Sequence, residues 1–431
     1  MKILVVGGGG REHAIIKSLK KSPRVTEIFA APGNGGIAAD AICTGIGAKD
    51  LDAITAFAKD NAIDFAVVAP DDPLVLGAVD RLEAIGIPCF GPNKAAAILE
   101  GSKVFSKDLM KKYHIPTAEY AVFDDMDQAL AYLKTAPIPT VVKADGLALG
   151  KGVTVAMTRE EAEEAVRACM EDKIFGESGS HIVIEEFLTG PEVSVLSFTD
   201  GNVVIPMVSS MDHKRIGDGD TGPNTGGMGT IAPNPYYTDE IAKTCMETIF
   251  LPTMHAMNAE GRTFKGCLYF GLMLTENGPK VIEYNCRFGD PETQVVLPLL
   301  ESDLLTIMEA TAKGELDKTE VKFSDGAAAC VVLASGGYPV AYEKGKEITG
   351  LENGQVPGAA DVTVYHAGTA IKDGKLVTNG GRVLGVTATA ATLPEALKKA
   401  YAAADCIHFD KLHRRSDIGA RALAAMKAQE G

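Results

Sequence analysis

The first hundred residues alternate short apolar runs with helical patterns, and this alternation restricts the fold more than any other feature. Apolar runs at 2–7, 26–33, 65–70 and 87–92 predict buried strands, and the segments 11–22, 51–61 and 74–86 predict helices. Strands that alternate with helices form a parallel sheet, because each parallel connection needs a crossover. We therefore expect a doubly wound parallel sheet, whose ligands bind beyond the carboxyl ends of the strands.

The pattern changes after the first hundred residues. A helix ends before Pro116, and the segments 140–157 and 264–285 then have the pattern of β-hairpins. From residue 326 onward the chain is β-rich, punctuated by glycine, and closes with two helices. We therefore expect a multidomain α/β and α+β protein with domains at 1–101, 102–325 and 326–431, of which the last is small and β-rich.

Composition argues against several classes of function. The net charge of −15 disfavours general nucleic-acid binding, and an anionic substrate would need local positive charge. No two of the 8 cysteines have C-x-x-C spacing, which disfavours a zinc site or a disulfide framework and favours reduced thiols. The first strand runs directly into glycines, so no signal peptide is expected, and no apolar run approaches the roughly 20 residues of a membrane span. We expect a cytoplasmic protein with small-molecule partners and no membrane partner.

Two glycine loops follow neighbouring strands. The segment GGGG at 7–10 opens a helix, where backbone N–H groups suit a phosphate. It does not fit the dinucleotide fingerprint, because the third glycine would fall at Glu12 and no acidic residue ends the second strand. The segment PGNGG at 32–36 lies on the same edge of the sheet. Together they favour a small phosphorylated ligand, and a structural turn without a ligand is the alternative for the first loop.

A third glycine-rich segment, KADGLALGKG at 143–152, lies between two predicted strands. Its glycines, with Lys143 and Lys151, fit a flap that covers phosphates. It lacks the G-x4-G-K-[ST] spacing of the P-loop and does not precede a helix. An exposed hairpin turn is the alternative.

The run VIEYNCR at 281–287 alternates in character. A period of two places Val281, Glu283, Asn285 and Arg287 on one face and Ile282, Tyr284 and Cys286 on the other. A carboxylate and a carboxamide two residues apart offer the oxygen ligands that a nucleotide-bound Mg²⁺ prefers. The arginine can form a fork on a phosphate or a carboxylate, and the cysteine is expected in the core. A solvated polar face is the alternative.

Two further segments are weak indications when taken alone. EEFLTGPEVSV at 185–195 can present backbone groups to an adenine and a carboxylate to a ribose, although surface carboxylates are commoner. The segment 213–229 begins with three cations and carries six glycines in its last thirteen residues. Because each glycine costs about 0.5–1 kcal/mol relative to alanine in a regular element, we expect neither helix nor strand there.

Taken in order, these segments resemble the phosphoribosylamine–glycine ligase family of the ATP-grasp superfamily. The motifs GGGGREHA, PGNGG, LEGSK, VVKADGLALGKGV, DHKRIGDGDTGPNTGGMG and IEYNCRFGDPETQ match it almost letter for letter, and RFGDPE at 287–292 is its most specific signature. The resemblance covers essentially the whole chain. It implies a central ATP-grasp domain with a flexible lid at about 120–190. The implied activity joins glycine to 5-phosphoribosylamine with ATP and Mg²⁺ or Mn²⁺ in purine biosynthesis, in a monomer or weak dimer.

The resemblance also implies roles for individual residues. The residues implied to contact ATP are Lys103, Lys143, Gly150, Lys151, Gly152, Glu185, Glu186, Leu188 and Glu192. The implied metal ligands are Glu283 and Asn285, and the implied catalytic residues are Arg287, Lys214 and Asp212. The implied substrate contacts are Gly8, Gly9, Gly10, Asn34, Gly35, His213, Arg215, Gly226, Gly227, Met228 and Asp290. The segment 213–229 is then expected to be an adjustable substrate cover, with a disordered surface loop as the alternative.

Two positions depart from the family pattern. Many ATP-grasp enzymes carry an acidic metal ligand on the preceding strand of the hairpin, and the position twelve residues before Glu283 is Gly271. The third strand ends in APDDPL where GPEAPL is expected, so Asp71 replaces a glutamate. A ligase for another carboxylate and amine, and a nucleotide-binding regulator without turnover, are the alternative functions. RFGDPE and the DHKR segment argue against the other ligase, and retention of the two lysines and of the Glu283–Asn285 pair argues against the regulator.

Overall fold

The computed structural model describes residues 1–147 and 152–430, and it begins with a five-stranded parallel sheet. The strands are β1 (Lys2–Gly7), β2 (Glu27–Pro32), β3 (Ile42–Cys43), β4 (Phe65–Val68) and β5 (Cys89–Phe90), in the order β3-β2-β1-β4-β5. The helices are α1 (Gly10–Leu19), α2 (Leu51–Asp60), α3 (Asp71–Leu76), α4 (Ala78–Ala84) and α5 (Lys94–Gly101). Every strand pair in this sheet is parallel, which confirms the predicted sheet.

Both faces of this sheet are covered. Ile3 and Val5 of β1 pack in one core, and the alternate residues Leu4 and Val6 pack in another. The single helix predicted at 74–86 is wrong, because Gly77 adopts a φ of 94° and separates α3 from α4.

The central part of the chain contains two antiparallel sheets. After α6 (Lys103–Lys112), the first sheet contains β6 (Tyr120–Phe123), β7 (Thr140–Ala144), β8 (Val153–Ala156) and β9 (Ile182–Glu186), with α7 (Met126–Leu133) and α8 (Arg159–Met170). The pairing of β7 with β8 confirms the hairpin predicted at 140–157. Gly150 and Lys151, which were assigned to ATP, lie outside the described residues.

The second antiparallel sheet is built from segments far apart in the chain. The strands that follow are β10 (Glu192–Thr199), β11 (Val204–Pro206), β12 (Met211–Asp212), β13 (Arg215–Gly217), β14 (Thr221–Asn224) and β15 (Gly229–Ala232). Next come α9 (Asp239–Cys245), a π-helical stretch (Met246–Phe250), α10 (Leu251–Ala259), β16 (Gly266–Thr275) and β17 (Gly278–Asn285). The sheet has the order β11-β10-β16-β17, and its last two strands form the hairpin predicted at 264–285.

A β-bulge changes the expected alternation in β17. Gly271 pairs with Glu283, whereas its neighbour Leu272 pairs with Val281, so Ile282 is an extra residue. Val281 is consequently buried in the same core as Tyr284. The prediction that Val281 shares a face with Glu283 is therefore wrong, because an inserted residue breaks a strict period of two.

The C-terminal sheet takes strands from two parts of the chain. The remaining elements are α11 (Thr293–Val296), α12 (Leu304–Lys313), β18 (Ala327–Ala334), β19 (Val362–His366), β20 (Thr369–Lys372), β21 (Lys375–Thr378), β22 (Arg382–Ala390), α13 (Leu393–Ala404) and α14 (Ala420–Glu430). The sheet has the order β12-β15-β18-β22-β19. Because β12 and β15 flank the glycine-rich segment 213–229, both ends of that segment are anchored in the C-terminal sheet.

The glycine-rich segment itself contains regular structure. Its strands β13 and β14 form a two-stranded antiparallel ribbon, with positive φ angles at Gly219 (68°) and Asp220 (57°) in the connecting turn. The prediction of neither helix nor strand is therefore wrong. A ribbon of two strands is marginal by itself, so contacts with the rest of the chain must stabilise it. Within residues 1–147 and 152–430, no helix is both long and apolar enough to cross a membrane.

Candidate active site

The two N-terminal glycine loops lie side by side, because β1 and β2 are neighbours and Gly7 is opposite Pro32. Asn34 connects them: its side-chain amide donates to the Gly8 carbonyl (2.9 Å) and to the His366 carbonyl (2.7 Å). Its Oδ1 accepts from two backbone N–H groups, so the whole carboxamide is used within the protein. Asn34 therefore braces the loops, and its side chain has no group left for a substrate.

The first glycine loop meets the RFGDPE motif at the beginning of α1. The Gly9 N–H donates to the Glu12 carboxylate (2.7 Å), and Gly10 begins the helix. The Asp290 carboxylate, from the RFGDPE motif, accepts from the Arg11 N–H (3.4 Å). This contact lies where the order of the parallel sheet reverses beside β1, which is where ligands of such sheets bind.

Two buried lysines contact one buried carboxylate beside the central sheets. Lys143 Nζ lies 3.0 Å and Lys107 Nζ lies 3.3 Å from the Glu185 carboxylate, and each side chain is at most 6% exposed. Lys107 also donates to the Thr117 hydroxyl (2.7 Å), and Lys143 donates to the Ile282 carbonyl (3.1 Å). Burial lowers the pKa of Lys107 to about 8, against the opposing effect of Glu185. Because two cations meet one carboxylate, the cluster can attract a further anion such as a phosphate.

Lys103 places another ammonium group near this cluster. It begins α6, and its Nζ donates to the Gly146 carbonyl (2.9 Å) at the root of the glycine-rich hairpin. Burial lowers its pKa, and Glu283 acts in the opposite direction. Gly152, on the other side of the hairpin, accepts from the Ala144 N–H (2.8 Å). The structure therefore brings Lys103 and both described ends of the predicted flap together.

Glu283 and Asn285, on β17, fit a divalent cation. Burial opposes ionisation of Glu283, but the positive charges of Lys214 and Lys143 contribute to a lowered pKa. Opposite Glu283 is Gly271, where a Cβ would lie 3.1 Å from the Glu283 Cγ, so the missing acidic residue leaves room for this carboxylate. The described part of the chain contains no group of three His, Cys, Asp or Glu side chains arranged for a metal. Two protein oxygens completed by phosphates and water suit Mg²⁺.

Arg287 is held by a buried carboxylate. Its Nη2 lies 3.2 Å from Glu100 and donates to the Asn285 side-chain oxygen (3.2 Å). Glu100 also accepts from the Cys286 N–H (2.7 Å) and is 7% exposed. Burial raises the pKa of Glu100 to about 7, although Arg287 opposes the shift. The Cys286 thiol is buried in the core, as predicted.

Asp212 and Glu292 are two interacting carboxyl groups, and Glu292 also interacts with Arg287. Glu292 accepts from the Tyr269 hydroxyl (3.1 Å), and that hydroxyl also bonds to the Ser194 hydroxyl (2.8 Å). Desolvation, followed by the charge of Glu292, raises the pKa of Asp212 well above its usual range. Asp212 therefore binds a proton more tightly than an ordinary aspartate does.

Lys214 contacts two carboxylates, one at the start of β10 and one on β17. Its Nζ lies 3.3 Å from Glu192 and 3.9 Å from Glu283. The charge of Glu192 is the largest cause of a pKa well above the usual value for Lys214. Glu192, assigned to the ribose, is half exposed and thus remains accessible.

The structure buries His213, which the resemblance assigned to a substrate. Its Nδ1 lies 3.0 Å from the Gly229 carbonyl, and its Nε2 accepts from the Gly419 N–H (3.0 Å). Burial lowers its pKa to about 4, so the ring is neutral near pH 7. Both ring nitrogens are used by the backbone, so His213 attaches the start of the glycine-rich segment to the C-terminal part of the chain and has no ring nitrogen left for a substrate.

C-terminal residues hold the outer part of the glycine-rich segment. Arg415 is 2% exposed, pairs with Asp220 (3.0 Å) and donates to the Arg215 carbonyl (3.2 Å). The Arg215 side chain donates to the Gly222 carbonyl (2.8 Å) within the ribbon. Arg215, like His213, therefore stabilises the segment, and its guanidinium group is used within the ribbon and not for a substrate.

The inner end of the segment lies against Asp212 and the RFGDPE motif. Met228 is fully buried, whereas Gly226 is exposed. Gly227 packs between Pro291 and Asp212: a Cβ on it would lie 2.5 Å from the Pro291 Cδ and 2.6 Å from the Asp212 Oδ1. The Gly226–Gly227 turn is therefore the part of 213–229 that can act as the expected substrate cover, because C-terminal residues such as Arg415 hold the ribbon in place.

Three more predicted residues lie around the site. The Gly35 N–H donates to the Thr369 carbonyl (3.0 Å), which ties the second glycine loop to the C-terminal part. Glu186 is exposed at the end of β9 and pairs with Lys280 (3.5 Å). Leu188 is partly exposed on the turn into β10. Glu186 therefore lies beside the hairpin formed by β16 and β17, and Leu188 follows it by two residues. An adenine was expected beside these two residues.

Sequence reasoning missed four residues at this site: Lys107, Glu100, Tyr269 and Glu292. Three of them had a usable signal, because Lys107 lies four residues after Lys103 on one helix, Glu100 belongs to the LEGSK motif and Glu292 belongs to the RFGDPE motif. Tyr269 reaches the site only through contacts between segments far apart in the chain.

Comparison with known families covers nearly the whole chain. Residues 1–100 match the phosphoribosylglycinamide synthetase N domain, residues 101–293 match the ATP-grasp (A) domain, and residues 328–421 match the C domain of the same synthetase. A phosphoribosylamine–glycine ligase from Vibrio vulnificus is 50% identical over 427 residues, which cover 98% of this chain and 99% of that protein. The enzyme of the same name from Caldanaerobacter subterraneus is 48% identical and covers 97% of this chain and 100% of its own.

Solved structures agree with these matches. A phosphoribosylamine–glycine ligase from Thermotoga maritima superposes with a TM-score of 0.85 at 36% identity, covering 97% of this chain and all of that one. A biotin carboxylase from Campylobacter jejuni superposes with a TM-score of 0.74 at 14% identity and covers 100% of this chain and 95% of its own, which shows the shared fold alone. The chain belongs to the phosphoribosylglycinamide synthetase family and is an ATP-grasp protein.

Proposed function

We propose that this chain joins glycine to 5-phosphoribosylamine with ATP, and that ADP and phosphate leave after a glycyl phosphate intermediate. The observation that carries the proposal is that RFGDPE places Arg287 beside the metal-binding pair and Asp290 beside the first glycine loop. The ATP side and the phosphorylated-amine side thus meet within one short motif. Family membership over nearly the whole chain supports the same reaction.

The chemistry explains why this site is lined with cations. A carboxylate is a poor electrophile, because its charge repels a nucleophile and oxide is a poor leaving group. Transfer of the ATP γ-phosphoryl group to glycine creates an acyl phosphate, whose phosphate can leave. The protein must bring anionic groups together and stabilise the charge that develops on the phosphoryl group, which is a task of positioning and electrostatics.

The cations act on the phosphates. Lys103 and Lys143 hold the ATP phosphates, and Arg287 faces the transferred phosphoryl group or the glycine carboxylate. Glu283 and Asn285 would hold Mg²⁺, or Mn²⁺ in its place, and the bound cation would neutralise phosphate charge. Gly150 and Lys151 are assigned to the flap that covers the phosphates, together with Gly152.

Asp212 acts in the second step. The amine nitrogen of phosphoribosylamine attacks the acyl carbon, the bond from that carbon to the phosphate oxygen breaks, and the nitrogen loses a proton. Asp212 in its carboxylate form accepts that proton, and burial together with the charge of Glu292 raises its pKa and so strengthens it as a base. Lys214 is near groups that act in both steps. Its Nζ is within 4 Å of the Glu283 carboxylate, and it follows Asp212 by two residues in the sequence.

The wider organisation belongs to the same proposal. The chain has three domains, at 1–101, 102–325 and 326–431, and a lid at about 120–190. Closure of the lid keeps the acyl phosphate away from water. We expect a cytoplasmic monomer or weak dimer. Gly8 and Gly10 contact phosphoribosylamine through their backbone, whereas the N–H groups of Gly9 and Gly35 are used within the protein.

Formation of ADP tests the reaction. The assay contains ATP, Mg²⁺, glycine and freshly prepared phosphoribosylamine, with each omitted in turn. ADP release that requires both glycine and the amine supports the proposal. Release without either indicates an uncoupled ATPase, and no release with any mixture rules out this substrate pair.

A further inference from the structure

Arg382 begins β22 of the C-terminal sheet, yet its side chain reaches two other parts of the chain. Its Nη1 donates to the Gly226 carbonyl (2.8 Å) and to the Asp290 carbonyl (2.7 Å). The same nitrogen lies 3.6 Å from the Asp290 carboxylate, and the side chain is 21% exposed. One guanidinium nitrogen therefore connects the end of the glycine-rich segment with the RFGDPE motif.

Asp290 extends this connection to the N-terminal sheet. Its carboxylate accepts from the Arg11 N–H (3.4 Å) and from the Gln294 side chain (2.7 Å). Burial opposes its ionisation, but the charges of Arg382 and Arg11 outweigh burial and lower its pKa. The first turn of α1, the RFGDPE motif and the C-terminal sheet therefore meet at one ionised carboxylate.

The absence of a side chain at residue 226 is explained by this arginine. A Cβ on Gly226 would lie 2.8 Å from the Arg382 Cζ and 3.0 Å from its Nη2. The planar guanidinium group lies directly against the glycine backbone and directs its donors at fixed angles, which a flexible ammonium group does not do. The glycine and the arginine therefore form a matched pair from distant parts of the chain.

We propose that Arg382 is a positioning residue of this ligase. By holding the Gly226–Gly227 turn and Asp290 at a fixed separation, it aligns the amine bound at the first glycine loop with the activated glycine carboxylate. The C-terminal part of the chain thereby contributes to substrate placement. This inference deepens the proposed function and rests on it.

Kinetics of Arg382→Ala test the proposal. We expect kcat/KM for phosphoribosylamine to fall by about 10–100-fold, the range for loss of a hydrogen bond made by a charged group. KM for ATP should stay within about twofold, because the ATP-side lysines do not contact Arg382. The kcat/KM of Arg382→Lys for phosphoribosylamine should lie between those of the unchanged protein and Arg382→Ala. Added millimolar guanidinium ion should restore part of the activity of Arg382→Ala. A merely structural loss would show no such rescue.

A second measurement does not depend on turnover. Hydrogen exchange of peptides covering 225–229 and 288–292 should be faster in Arg382→Ala than in the unchanged protein. Arg414→Ala is the matched control, because Arg414 pairs with Asp405 within the C-terminal part, and both readouts should be unchanged.

The outcomes separate the two proposals. If the unchanged protein shows no ligase activity but exchange is faster in Arg382→Ala, the proposed reaction fails and the holding role of Arg382 stands. Unchanged exchange in Arg382→Ala, or a loss of activity that guanidinium ion does not relieve and that extends equally to ATP, overturns the positioning role.

Discussion

The Lys143 ammonium lies 3.0 Å from the Glu185 carboxylate, and both groups are buried together with the Lys107 ammonium on the same carboxylate. Removing the negative charge leaves two buried cations without a partner. We therefore expect Glu185→Gln to lower the free energy of unfolding by about 3–5 kcal/mol, measured by urea denaturation, and to raise KM for ATP.

Glu186→Gln is the control for this prediction, since Glu186 is the next residue and forms an exposed pair with Lys280. It should change the free energy of unfolding by no more than about 1 kcal/mol. Equal changes in the free energy of unfolding for the two substitutions would show that the buried Glu185 ion pairs contribute no more to stability than the exposed pair of Glu186.

Removal of a metal ligand should change the requirement for metal. Glu283 is the ionised oxygen donor of the proposed pair with Asn285, so Glu283→Gln should raise the Mg²⁺ concentration for half-maximal activity at least about tenfold. Titration with Mn²⁺ in the presence of ADP, followed by magnetic resonance, provides a readout without turnover. Glu276→Gln, in the exposed turn of the same hairpin, should behave like the unchanged protein, and an unaltered metal titration for Glu283→Gln would contradict the assignment.

A methyl group at the inner end of the glycine-rich segment should disturb Asp212. Gly227 has a φ of 121°, and a Cβ there would lie 2.6 Å from the Asp212 Oδ1. We expect Gly227→Ala to lower kcat/KM by at least about tenfold, because displacement of reacting groups by about 1 Å is costly. Gly219→Ala is the control. Gly219 has a φ of 68°, so an alanine there also strains the backbone, but no atom lies within 4 Å of the new Cβ. That control should lose stability without a comparable loss of kcat/KM, and equal losses would disprove the role of Gly227.

The buried Glu100 should make stability depend on pH. Its pKa is raised from 4.5 to about 7 in the folded protein, so the folded state binds this proton more tightly than the unfolded state. The resulting stabilisation is complete below about pH 4.5 and is lost as pH rises through about 7. Glutamine does not titrate, so the difference in unfolding free energy between Glu100→Gln and the unchanged protein should shift by roughly 3 kcal/mol across that window. Parallel stability curves for the two proteins would refute this prediction.

Much of the fold follows from local patterns. The parallel sheet and both hairpins were predicted because apolar periodicity reflects burial, and the bulge at Ile282 was missed because an inserted residue leaves the composition of a strand unchanged. The ribbon at 215–224 was missed for a different reason. Its stability comes from Arg415, which lies almost two hundred residues away and is buried against it.

The sequence by itself determined the chemistry that the chain carries, because the motifs bring lysines, an acid–amide pair and phosphate-binding loops in a recognisable order. Tertiary structure alone decided which of these side chains are available. It buried His213, used every polar atom of Asn34 within the protein, and brought Glu100 to Arg287 and Arg382 to Asp290. The physical reason is that hydrogen bonds and ion pairs act over a few ångströms in space, whereas a motif specifies only separation along the chain.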